Sequence, residues 1–166
     1  MSATTRQNFA QRFLLPALGV RYDPSRIGAR RFLAGTWPHA ETGENPGLCN
    51  GVPRQGARWN PFNTTLPMPH STLYNELSPG FGVRNYATAT DGAQAFAMTL
   101  TNTKNPDGTL MYGEFLRLLR KRFVTRKQLI AALDKTNWGT HEPLLSAADG
   151  AYMANRGFYN SYPIGA

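Results

Sequence analysis

The chain has little of what usually advertises chemistry. It holds one cysteine, Cys49, so it cannot close an internal disulfide. Three histidines, His39, His70 and His141, stand far apart and show no metal-ligand spacing, so no metal or other cofactor is expected. No apolar run is long enough to cross a membrane, and the first residues lack the apolar core of a signal peptide. Only 10 acidic residues are present against 18 Lys and Arg, which leaves a formal charge of +8 and points to anionic partners. The charged fraction is low at 17%, yet aromatics are plentiful, which excludes a disordered composition. There is no internal repeat and no low-complexity segment.

What is present reads as one domain with a real core. Gly (16) and Pro (12) are abundant enough to demand long loops. Residues 6–19 predict a first helix, with Phe9, Phe13 and Leu14 on one face and Pro16 forcing a kink or an early end. Asp23-Pro24 starts a second helix that runs to about Glu41, with Leu33, Trp37, Ala40 and Glu41 on one side. Pro38 should bend it near Ala34. Residues 42–86 have no helical period; short strands are expected around 72–75 and 82–86. Helices return at Thr88, at 113–123 and after Thr125, where Thr125 and Gln128 predict a capping box. Residues 146–166 form an aromatic tail with Tyr152, Phe158, Tyr159 and Tyr162, expected to wrap over the domain or dock on a partner.

The stretch from Trp37 to Thr65 holds the candidate chemistry. Trp37 and Glu41 are four apart on a helix and can touch. An apolar ring against a carboxyl favours its protonated form, the state a general acid needs to protonate a leaving oxygen. The plain alternative is a Glu making a capping or surface contact at a helix end. The dipole there disfavours an acid, and a local rule broken without local gain marks functional sites. Glu76 is the candidate second carboxylate, with Glu44 nearer in sequence; a pair would need to stand roughly 5–9.5 Å apart. Without a second acid, a group of the substrate itself could act as nucleophile. Asn60, Asn63, Thr64 and Thr65 could hydrogen-bond the hydroxyls and amides of a polar substrate, or serve as ordinary turn chemistry. Tyr74 and Tyr86 could stack on sugar faces or orient Glu41, or pack in the core. Arg117, Arg120, Lys121, Arg122, Arg126 and Lys127 make a basic patch: a solvated face, or a contact for an anionic polymer. Nucleic acid is not expected, because no binding motif and no interleaved aromatics accompany it.

The strings Trp37-Pro38-His39-Ala40-Glu41-Thr42-Gly43, Asn60 to Thr65 (NPFNTT), Pro67-Met68-Pro69-His70-Ser71-Thr72, Gly82-Val83-Arg84-Asn85-Tyr86 and Trp138-Gly139-Thr140 resemble a lysozyme-like domain of actinobacteriophage lysins and tail-associated proteins. They are more distantly similar to flagellar-type glucosaminidases. The resemblance covers residues 5–142. It implies a mainly α, lysozyme-like helical domain over residues 1–145 with a loop-rich lobe containing little β, followed by the tail at 146–166. It implies a virion-associated hydrolase or lytic transglycosylase of the peptidoglycan glycan strand, with Glu41 as acid, acting at the host wall beside other tail or baseplate proteins. A phage particle or a holin-type hole would carry it there. The alternative is a tail or baseplate protein that keeps the fold and has lost catalysis.

Overall fold

The computed structural model describes residues 4–21, 23–42 and 56–165. Glu44, Cys49 and the glycine-rich stretch around them lie outside the described residues. The fold is mainly α: about 52% helix, with seven helices and two small two-stranded sheets among the described residues. None of the described helices is long and apolar enough to cross a membrane.

Helix α1 spans residues 6–17 and α2 residues 27–42. Each carries a π-helical turn, Ala10–Leu14 in α1 and Phe32–Thr36 in α2. The two prolines explain both turns. Pro16 and Pro38 cannot donate to the carbonyls of Arg12 and Ala34, and their rings would clash with them. Both carbonyls lie inside the widened turns, which accommodate the rings without ending the helix. The bend expected at Ala34 is thus realised as a π turn, and α2 continues through Trp37–Thr42 to Glu41.

The other helices are α3 (Ala89–Asn102), α4 (Gly113–Leu119), α5 (Arg126–Asp134), α6 (Glu142–Ala154) and α7 (Arg156–Ser161). Thr88 caps α3 by accepting from the Asp91 amide at 3.0 Å. Thr125 and Gln128 form the complete capping box of α5. α4 stops at Leu119, short of the predicted 123, because the next residues turn onto the start of α2: Arg26 Nη1 donates to the Arg120 carbonyl at 2.7 Å.

A hairpin, β2 (Thr72–Ser78) and β3 (Phe81–Asn85), stands out from the helices, with β2 exposed along its length. Residue 82 must be glycine, since a Cβ there would lie 1.9 Å from the Asn75 carbonyl oxygen. The chain ends meet as β1 (Thr4–Thr5) and β4 (Pro163–Ile164), antiparallel. Position 146 falls inside α6. Of the aromatics beyond it, Tyr152, Tyr159 and Tyr162 are buried and Phe158 is half-buried.

The core centres on Trp37, which is fully buried. Its indole meets Phe62, Phe96, Phe115 and Trp138 at ring-centre distances of 5.1, 5.3, 5.4 and 4.7 Å, all edge to face. One ring from α2 therefore ties together the loop after residue 56, α3, α4 and the segment after α5.

Candidate functional site at Glu41

Glu41 lies in the last turn of α2, half-buried. One carboxylate oxygen, Oε1, accepts three hydrogen bonds: from Trp37 Nε1 at 3.2 Å, Trp138 Nε1 at 2.6 Å and the Thr140 hydroxyl at 2.6 Å. The Trp37–Glu41 contact expected from the spacing is present, but its nature differs: the indole offers its N–H rather than apolar shielding. Trp138 and Thr140 come from the segment joining α5 to α6. That segment is folded tightly on itself, with the Thr136 hydroxyl donating to the Leu133 carbonyl at 2.6 Å and accepting from the Trp138 amide at 3.2 Å. The Tyr112 phenol completes the surroundings. Burial pushes its pKa up, and the nearby Glu41 charge pushes it further in the same direction.

The NPFNTT loop packs against this helix end. Phe62 stacks on Phe96 with 4.0 Å between centres and meets Trp37 edge to face. Asn63 Nδ2 donates to the Glu41 carbonyl at 3.0 Å, relieving one of the unpaired carbonyls that every helix C-terminus leaves. Asn63, Trp59 and His70 have positive φ of 55°, 55° and 59°, and they are the only non-glycine residues so placed among the described residues. Backbone held in this region costs about 1–3 kcal/mol per residue and clusters at functional sites.

The remaining candidates divide by what their polar atoms do. Asn60 is 2% exposed, and both ends of its amide work within the lobe. Oδ1 accepts from the Thr64 amide and hydroxyl at 2.9 and 2.8 Å; Nδ2 donates to the Thr64 and Arg84 carbonyls at 2.8 Å each. Thr64, 3% exposed, meets the Tyr86 phenol at 3.1 Å, and Tyr86, 1% exposed, donates to the Leu66 carbonyl at 2.9 Å. Burial pushes the Tyr86 phenol up despite the Thr64 contact. Asn60, Thr64 and Tyr86 therefore build the loop and are not displayed to a ligand. Asn63 and Thr65 are half-buried, and Tyr74 is exposed on β2. Glu76 accepts from the Gly80 amide at 2.8 Å across the hairpin turn. Its carboxylate serves that turn, and none of its hydrogen bonds joins it to the groups around Glu41.

Trp138 and Thr140 had no role assigned from the sequence beyond the W-G-T string. Tyr112 carried no signal at all. Among the described residues no group of three or more His, Cys, Asp or Glu could hold a metal. The chain matches no protein-family model, no curated protein and no solved structure.

Proposed function

We propose that the protein is a virion-associated, lysozyme-like hydrolase of the peptidoglycan glycan strand, with Glu41 as general acid. The observation that supports this best is the fixing of a single carboxylate oxygen at the end of α2 by Trp37, Trp138 and Thr140. A carboxyl locked through Oε1 has one orientation, which leaves Oε2 as the oxygen that would carry and deliver a proton. A fixed orientation is one of the things a general acid needs. The strained, asparagine-rich loop beside it supplies polar groups at the same helix end.

Glu76 is engaged at its hairpin turn, so the reading that fits best uses a group of the substrate, such as its N-acetyl, as the nucleophile. On this reading the sugar would be met by Asn63 and Thr65, half-buried in the loop, and by Tyr74, exposed on the hairpin.

A second reading has its own support. The same three hydrogen bonds tie α2 to the segment before α6, as a structural keystone would. A tail or baseplate protein that has lost catalysis could keep them for the fold alone.

Release of soluble muropeptides from purified cell-wall sacculi separates the two. Glu41→Gln keeps an oxygen for the three donors but cannot deliver a proton. Lytic activity is expected to fall at least about a hundredfold, since acid–base catalysis contributes about 10²–10⁴-fold. No release by the wild-type protein, or full release by Glu41→Gln, sinks the enzymatic reading and leaves the structural one.

A further inference from the structure

The fold gathers cations that the sequence scatters. Between Glu114 and Asp134 there are six Lys and Arg and no acid. The start of α2 is laid against this segment so closely that a Cβ on Gly28 would lie 1.9 Å from the Val124 carbonyl oxygen. That approach brings Arg26, Arg30 and Arg31 beside it. Arg26 holds the Arg120 carbonyl at 2.7 Å, and Arg120 Nε reaches the Leu18 carbonyl at 3.3 Å. Arg31 lies among like charges. Burial lowers its pKa from the ordinary arginine value, and Arg156, Arg126 and Arg30 lower it further. Arg156 opens α7, so three separate chain segments contribute.

Among the described residues two carboxylates pair with this belt. Asp23 pairs with Arg122 at 3.4 Å, and Asp149 pairs with Arg126 at 2.6 Å. Lys121, Lys127 and Arg156 are exposed and meet no carboxylate among the described residues. Phe123, between Arg122 and Val124, is 76% exposed, and the Arg122 guanidinium lies 5.3 Å from its ring centre. Gathering like charges is unfavourable in the free protein and is relieved when a polyanion displaces the counterions.

We propose that this belt docks a phosphodiester-bearing cell-wall polymer of the teichoic-acid kind and holds the protein on the wall. This rests on the wall-hydrolase reading for its choice of partner. The belt carries no device for reading nucleic-acid bases. Single strands call for successive aromatic platforms, and Phe123 is one ring. Duplex reading calls for free side chains at a helix start. At the start of α5, Arg126 is held by Asp149 and Gln128 by the capping box, which leaves Lys127 as the free side chain there. What remains are cations suited to phosphates and blind to sequence.

The test is binding of the full chain to lipid-free poly(glycerol phosphate), measured by calorimetry over a series of salt concentrations. The wild-type protein is expected to bind with an affinity that falls steeply as salt rises. Lys121→Gln with Lys127→Gln is expected to weaken binding about tenfold at low salt and to flatten the salt dependence, with an unchanged melting temperature. Equal binding by wild type and variant, no binding by either, or tighter binding of duplex DNA than of poly(glycerol phosphate) overturns the proposal. Binding needs no hydrolysis, so the belt and the Glu41 reading fail separately.

Discussion

Glu41 concentrates three donors on one oxygen, and each donor is a separate lever. Trp138→Phe keeps an aromatic ring but removes the N–H together with the pyrrole half of the indole, so part of its loss is packing; Thr140→Val exchanges the hydroxyl for a methyl of similar size. A hydrogen bond to a charged group contributes about 1.5–3 kcal/mol, so each change should lower unfolding free energy by about 1–3 kcal/mol in urea titration. Glu41→Gln keeps an acceptor for all three donors but makes each bond neutral, so it should cost about as much as losing one of them outright. No loss in either Trp138→Phe or Thr140→Val would mean that these bonds do not hold the site together. The sequence showed half of this site. Trp37 and Glu41 are four apart, and helical periodicity makes such pairs visible. Trp138 and Thr140 lie 97 and 99 residues from Glu41, where no local period reaches. For Asn60, Thr64 and Tyr86 the sequence left two readings open for a related reason: such residues read alike whether they bind a ligand or knit their own loop. Only the paired carbonyls and amides around Asn60 distinguish the two.

Helices and strands were more legible than side-chain roles. Strands expected around 72–75 and 82–86 form as Thr72–Ser78 and Phe81–Asn85, and the Thr125 capping box forms as read. The prolines at 16 and 38 signalled disruption correctly, but its form was hidden. Whether a helix ends, kinks or widens depends on what packs around it, and α2 is kept whole by the buried face from Phe32 to Pro38. Gly35, in the widened turn, tests this packing. A Cβ there would come within 1.9 Å of the Tyr152 ring, which is itself fully buried. Gly35→Ala should therefore destabilise by about 1–3 kcal/mol through overpacking between α2 and α6. Gly150, in α6, meets nothing within 4 Å, so Gly150→Ala should stabilise by about 0.5–1 kcal/mol through helix propensity alone. Thermal unfolding of the two variants should move in opposite directions. A shared direction would show that α6 does not seat on Gly35 as described.

At the scale of the whole molecule, composition foretold a basic chain with long loops. It could not foretell that the two ends pair, because β1 and β4 are two residues each and carry no strand pattern. Nor could it show how widely buried phenols are spread. Tyr86 lies in the loop-rich lobe, Tyr112 at the start of α4 and Tyr152 in α6, and burial is the main cause that pushes each pKa above the ordinary value of about 10. The unfolded chain releases these protons at about 10 and the folded chain only at higher pH. The stability they are linked to is fully present below about pH 10 and is lost as pH rises through the folded values. The expected outcome is a cooperative alkaline transition in which phenolate absorbance and loss of helical circular dichroism rise together, since lobe and helices each hold a buried phenol. Tyr152→Phe removes one of the three linked groups. It gives up a 2.7 Å hydrogen bond to Asn160 at neutral pH, yet it should make stability fall less steeply above pH 10. Phenols that ionise fully while the helical signal stays native would mean that these rings are reachable by solvent in the folded state, and that the core around Tyr152 opens without unfolding.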